Sequence, residues 1–126
     1  MKLLTSILLF ITAGPSAMCA AREGGQTGVA SWYGRELSGN LMANGQPFNP
    51  DSNTCASWFY PLGTVLCVSR QTPLTTRRVI VTVTDRGPAW RLVRQGRIID
   101  LSHAAFAVLE DPRCGLVTVR VERVGK

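Results

Sequence analysis

The sequence predicts a mainly β protein, a small closed barrel of about six short strands with one or two short helices. Two stretches alternate with a period of two: Val79, Val81 and Val83 against Ile80, Thr82 and Thr84, then Val117, Val119 and Val121 against polar neighbours. Successive side chains of a pleated strand leave by opposite faces, so each stretch offers one apolar face to a core. Turn residues punctuate the chain at Pro61-Leu62-Gly63, around Pro73 and at Gly87-Pro88. A chain of 126 residues has room for one domain.

The N-terminus has a different character. Residues 2–13, KLLTSILLFITA, place one Lys before a largely apolar run, and Gly14, Pro15 and small residues lead to Ala21. This is the layout of a secretory signal peptide over residues 1–21, with Cys19 and Ala21 flanking the cleavage site and a mature start at Arg22. The run is shorter than the ~18–20 residues of a membrane span, and no other run is longer, so no span is expected. Cleavage is favoured over a lipid anchor at Cys19, because Ser16-Ala17-Met18 poorly matches what usually precedes a lipidated cysteine. The protein is therefore expected to be exported, periplasmic or in the cell envelope, and monomeric.

Residues 22–27, REGGQT, read as a flexible lead to a barrel domain over 28–124. GVASWYG, 28–34, reads as a first strand. Residues 35–53 are rich in Gly, Asn, Pro and Ser, a long surface loop of the kind that often binds ligands. A hairpin is expected next, from Thr54 to Phe59, through a turn at 60–63, to Thr64 to Ser69. Arg78 to Thr84 is the alternating strand, and RIIDLS, 97–102, is another. Ser102 is placed to cap a helix from His103 to Leu109, and Gly115 to Val124 closes the fold as a strand.

Without Cys19, an odd set of cysteines remains for an oxidising compartment: Cys55, Cys67 and Cys114. Cys55 and Cys67 flank the expected hairpin turn, which could join them in a disulfide and leave Cys114 free. No metal site is expected, for there is no CxxC pair and His103 is the single imidazole. The basic groups are almost all Arg, and removing residues 1–21 takes away Lys2 and no acid, so a net charge of +6 falls to +5. A basic exported protein is drawn to anionic polymers, including cell-wall glycans with their carboxylates. Export and the lack of a nucleic-acid-binding motif argue against nucleic acid.

Four segments in order, GVASWYG, ANGQPF, YPLGTVLCV, and VTVTDRGP with RIIDLSHAAF, resemble the rare lipoprotein A family of double-psi β-barrels. The resemblance runs over residues 28–122 and implies an exported protein that binds peptidoglycan glycan strands, with no cofactor. Many members of that family are lytic transglycosylases acting on glycan strands stripped of stem peptides, and expansins share the barrel while loosening plant walls without hydrolysis. Where the family reads Ala-Asn-Gly-Glu, Phe-Asp and Thr-Ala-Ala-His, this chain has Gln46, Asn49 and Ser57 in place of the three ionisable residues. The Asp of Asp-Arg-Gly-Pro survives as Asp85.

A lytic transglycosylase breaks the bond between N-acetylmuramic acid and N-acetylglucosamine without water, leaving a 1,6-anhydro ring. The nucleophile is the sugar's own 6-hydroxyl, so no second carboxylate is needed to activate water, unlike glycosidases with paired acids roughly 5–9 Å apart. One carboxyl group, acid first and base later, can suffice. The resemblance assigns that role to Asp85, which must be protonated when substrate binds, as burial would favour. Without the resemblance, Asp85 reads equally as a turn acid accepting backbone N–H groups.

Gln46, Asn49 and Ser57 can hydrogen-bond a sugar without titrating. Among the aromatics Trp32, Tyr33, Trp58, Phe59, Tyr60 and Trp90, the resemblance favours Tyr33 and Trp90 as groove residues that stack on sugar faces. Arg86 is expected to point away from the Asp85 carboxylate and to hold a backbone carbonyl. Asp100 reads as a structural acid at the helix start, Glu36 as an acid that could replace the missing Glu, and His103 as solvated. Loss of the Glu and His leaves an alternative: a catalytically muted, expansin-like peptidoglycan-binding module.

Overall fold

The computed structural model describes residues 25–125. The expected signal peptide over 1–21, with Cys19, lies outside the described residues, as does most of the expected lead. Six strands follow: β1 (Gln26–Trp32), β2 (Thr54–Ala56), β3 (Val65–Gln71), β4 (Thr76–Asp85), β5 (Arg97–Leu101) and β6 (Val117–Arg123). Two short helices, α1 (Trp90–Val93) and α2 (His103–Leu109), and two 3-10 turns, Arg35–Leu37 and Pro112–Cys114, complete the described elements.

The strands close into a barrel in the order β1-β5-β2-β4-β3-β6. β1 runs parallel to β5 and β2 parallel to β4, while the other four pairings are antiparallel. Every strand thus has two partners, and the closed barrel leaves no unpaired edge among them.

The two alternating valine rows line the interior. Val79, Val81 and Val83 on β4 are at most 6% exposed, and they meet Leu66 and Val68 of β3 and Val119 and Val121 of β6 in one core. Helix α2 adds Ala105, Phe106 and Leu109, all fully buried. Burying each large side chain contributes about 1.5–3 kcal/mol before the entropy of ordering it is counted. Ser102 is the N-cap the sequence predicts: its Oγ accepts from Ala105 N at 3.3 Å and donates to Ser52 O. Trp32 donates its indole N–H to Pro112 O at 2.9 Å and meets His103 edge-on at 5.0 Å. His103 is therefore a packing partner of Trp32, where a solvated residue is expected from the sequence.

Three local expectations fail. Gln26 and Thr27, assigned to the lead, are already in β1 and pair with Val121 and Arg120 of β6. The hairpin from Thr54 to Ser69 does not form, because β4 lies between β2 and β3 and pairs with both. The same interposition overturns the Cys55–Cys67 disulfide: Cys67 is disulfide-bonded, but not to Cys55, whose thiol is free and buried. Cys114 is free and exposed, as expected. Alternation identifies a strand but not its neighbour, and parallel pairing joins strands that a tight turn cannot connect.

Candidate functional site

The site lies where the C-terminal residues of β1 and β5 meet those of β2 and β4, two parallel pairs that run in opposite directions. In register, Ser31 of β1 faces Asp100 of β5, Asp100 faces Ala56 of β2, and Ala56 faces Asp85 of β4. A bulge between Cys55 and Ala56 sets that last pairing. The two carboxyl-bearing residues therefore stand two strands apart in one register row, with Ala56 on the strand between them.

Asp85 has a double engagement. Its Oδ1 accepts from Ala43 N at 2.9 Å and from Arg86 N at 2.8 Å, so the turn-acid reading is realised. Asp85 also lines a pocket of about 220 Å³ with Tyr33, Asn40, Met42 and Phe48. The bond to Ala43 ties the long loop to the end of β4, as do Asn44 N to Thr84 O at 3.1 Å and Thr84 Oγ1 to Met42 Sδ at 3.3 Å. The loop thus forms one wall of the pocket that Asp85 lines.

Asp100 reads from the sequence as an acid at the helix start, but its Oδ1 instead accepts a hydrogen bond from Ser31 Oγ. Burial pushes its carboxyl up from the ordinary 3.8, opposed by that hydrogen bond and by Arg97. Tyr33 packs on Phe48 at 4.5 Å, and burial, followed by the charges of Asp85, Cys55 and Asp100, drives its hydroxyl further from ionisation. The Tyr33 and Thr54 hydroxyls are close enough to influence one another, yet both are buried without a well-formed hydrogen bond. The phenol of Tyr33 is thus held in its neutral form by burial and by its acidic surroundings.

Beyond Asp85 the chain turns through Arg86, Gly87 and Pro88. Arg86 Nη1 donates to Ser57 O and to Tyr60 O, each at 2.7 Å, holding the carbonyls that bracket Trp58 and Phe59. Ser57 N donates to Asp85 O at 3.0 Å, and the Trp58 indole N–H donates to Pro88 O at 2.6 Å. Gly87 has φ 157°, which L side chains rarely adopt, and an added Cβ would stand 3.3 Å from Ala56 Cβ and 3.4 Å from Asp100 Oδ2. The peptide bond from Gly87 to Pro88 is cis. Trp90 stacks on Trp58 with ring centroids 4.9 Å apart and planes inclined by 24°.

The other residues expected in the groove are dispersed. Ser57 is 1% exposed and its Oγ accepts from Phe59 N, so it shapes the turn and is turned away from the surface. Asn49 is exposed, and its Oδ1 accepts from Asp51 N. Gln46 is exposed on the loop and is not among the residues lining the pocket. Glu36 is exposed in the 3-10 turn, and its carboxylate lies where a Cβ on Gly34 would be. Among the described residues no group of three or more His, Cys, Asp or Glu could hold a metal ion, and no helix is long and apolar enough to cross a membrane.

Ser31 carries no signal of its own in the sequence, and neither Asp100, which reads as an acid at the helix start, nor Trp58, one of six candidate aromatics, is placed beside Asp85 by its local sequence. The signal for Asp100 was its place in RIIDLS, directly before the cap Ser102, but nothing local says which neighbouring strand it faces.

A family model described as lytic transglycolase matches residues 25–121. The chain is 40% identical over 101 residues to a probable endolytic peptidoglycan transglycosylase RlpA of Nostoc sp., covering 79% of this chain and 26% of that protein. It is 37% identical over 98 residues to the endolytic peptidoglycan transglycosylase RlpA of Campylobacter jejuni, covering 78% of this chain and 34% of that protein. The chain thus spans roughly a quarter to a third of the length of these curated relatives. Among solved structures, a Streptomyces papain inhibitor superposes with a TM-score of 0.62 at 26% identity, covering 82% of this chain and 96% of that one. A Clavibacter michiganensis expansin superposes with a TM-score of 0.54 at 23% identity, covering 80% of this chain and 50% of that one, and shows the shared fold. With four ordered motifs, a closed six-stranded barrel and these matches in agreement, the chain belongs to the rare lipoprotein A (RlpA) family of lytic transglycosylases, built on a double-psi β-barrel.

Proposed function

We propose that the protein is an endolytic peptidoglycan transglycosylase, acting in the cell envelope after export on glycan strands stripped of peptide. It cleaves the bond between N-acetylmuramic acid and N-acetylglucosamine and leaves 1,6-anhydro ends. The observation that carries this reading is the pair of carboxyl groups, Asp85 and Asp100, on either side of Ala56.

The pair divides the chemistry that a single residue would otherwise perform in turn. Asp100, biased by burial toward its neutral form, gives a proton to the glycosidic oxygen as the bond to the anomeric carbon breaks. The 6-hydroxyl of the same muramic residue closes on that carbon and gives its proton to Asp85, whose Oδ2 has no hydrogen bond among the described residues. Proton exchange with solvent then returns both groups to their starting states. The exposed amides of Gln46 and Asn49 contact sugar hydroxyls from the loop.

The test is digestion of amidase-treated sacculi by the purified protein, with 1,6-anhydro products sought by mass spectrometry. Anhydro ends from the wild type and none from Asp85→Asn are expected. No anhydro product from the wild type, or equal yield from Asp85→Asn, overturns the reading.

One observation favours a second reading, an expansin-like binding module. The two positions at which the family has Glu and His carry groups that do not titrate, and Ser57 is buried. That reading expects salt-sensitive pelleting with sacculi and no released product.

A further inference from the structure

Trp58 and Trp90 form a stacked indole pair on the surface, 38% and 53% exposed, and Phe59, next in the chain to Trp58, is 45% exposed. A soluble protein gains nothing in stability by holding wide aromatic faces in water, and such patches mark binding sites. This patch is also built. Arg86 holds the carbonyls on either side of Trp58 and Phe59, Pro88 O receives the Trp58 N–H, and Trp90 completes the stack five residues after Asp85. Three of the residues that fix the pair, Arg86, Pro88 and Trp90, therefore belong to the same short segment as the groove carboxylate.

We propose that the Trp58–Trp90 pair is a sugar-stacking subsite for the glycan strand as it leaves the carboxylate groove, with Arg94 selecting muramic over plain glucosamine units. This rests on the glycan reading of the site. Three features point to a glycan and not a protein face. Trp58 lies two residues beyond Ala56, which sits between Asp85 and Asp100, and its indole N–H is held by Pro88 O, three residues beyond Asp85, so the platform is tied to both strands β2 and β4 at the row of acids. An exposed indole face matches the apolar face of a pyranose, leaving the sugar's hydroxyls to water and polar neighbours. Arg94 follows Trp90 by one helical turn, is exposed, and has no carboxylate partner among the described residues. A muramic unit stripped of its peptide carries a free lactyl carboxylate, which a guanidinium can meet with paired hydrogen bonds.

The experiment is a tryptophan-fluorescence titration with two soluble probes: glucosamine–muramic acid hexamers prepared from amidase-treated sacculi, and chitohexaose, which lacks the lactyl group. It is run on an Asp85→Asn/Asp100→Asn background, so that loss of catalysis cannot be mistaken for loss of the platform. Saturable quenching is expected, with the muramic probe bound more tightly. Trp90→Ala should weaken both probes by about tenfold, and Trp90→Phe should restore part of that loss. Arg94→Gln should leave chitohexaose binding unchanged and erase the preference for the muramic probe. Circular dichroism and thermal melts establish that each variant is folded. Binding that Trp90→Ala leaves intact, or glycans that do not perturb the fluorescence at all, overturns the proposal, the second result assigning the patch to a protein partner. If Trp90-dependent binding is found while the wild type releases no anhydro product, the subsite stands and the transglycosylase reading alone falls.

Discussion

Asp85 and Asp100 stand two strands apart in one register row, with Ala56 between them. Asp85 is anchored by backbone N–H groups, and Asp100 by a serine hydroxyl in a buried setting. In the proposed reaction that asymmetry would let Asp100 serve as proton donor and Asp85 as acceptor. Asp85→Asn and Asp100→Asn should each reduce the initial rate of anhydro-product formation by about 10²–10⁴-fold. Because the Asp100 carboxyl is shifted upward, the wild-type rate should fall as pH rises through its titration. Initial rates across pH check this, and a rate that holds on the alkaline side would sink the assignment of Asp100 as donor.

The same shift has a consequence for stability. A carboxyl group whose folded pKa is raised favours the folded state while protonated, and that contribution is lost as pH rises through the folded value. Asp100→Asn keeps an acceptor for Ser31 and removes the ionisation. Its melting temperature should therefore exceed that of the wild type at neutral pH, and the gap should close as pH falls below the ordinary value of 3.8. Thermal melts of the two proteins from pH 3 to 8 decide it. A gap independent of pH would show that the carboxyl is not strained by burial.

Arg86 joins the two halves of the site by binding two carbonyls with one nitrogen. Arg86→Ala removes charge-assisted bonds from a half-buried position and should cost about 1.5–3 kcal/mol. Arg86→Lys, with a single ammonium at a different reach, should recover only part of that. Chemical denaturation measures the loss, and a change in near-ultraviolet circular dichroism from the Trp58–Trp90 pair should accompany it. Unchanged stability in Arg86→Ala would mean the Trp58 loop is held by other contacts.

The free cysteines should differ sharply in reactivity. Burial pushes the Cys55 thiol up to about 12, while Cys114 is exposed and is raised by its hydrogen bond to Glu110. In the folded protein a thiol reagent should label Cys114, slowly at neutral pH and faster in Glu110→Gln, and should reach Cys55 only on unfolding. Peptide mapping after timed labelling reports both, and rapid native labelling of Cys55 would contradict its place in the core.

At the interior, Phe106→Ala should cost about 3–5 kcal/mol, since Phe106 is fully buried among barrel strands and α2. Gly28→Ala should also destabilise, because an added Cβ would lie 2.7 Å from Ile98 Cγ2, where β1 and β5 approach. Denaturant midpoints compare the two.

Much of this architecture was legible in the residues. The period-two valines of β4 and β6 mark strands because the pleat sorts alternate side chains, and Ser102 marks a helix start because its hydroxyl can take an orphan N–H. Four ordered motifs carried the family and the place of Asp85. Pairing was not legible: nothing in Thr54 to Ser69 shows that β4 inserts between its two halves, so the hairpin and its disulfide were natural misreadings. The site failed in the same way. Ser57 belongs to a family motif, yet as a small hydroxyl it turns inward to hold Phe59 N, while Asp100 reaches the row only through parallel pairing of β5 with β1.

The closed order of the strands also governs when the site can exist. Asp100 arrives on β5, after the segments bearing Tyr33, Ala56 and Asp85 have all been made, and β1 gains its second neighbour only with β6. No shorter portion of the chain can set the two acids side by side. The row of acids is therefore a late product of chain synthesis, assembled from distant segments only once β5 has been made.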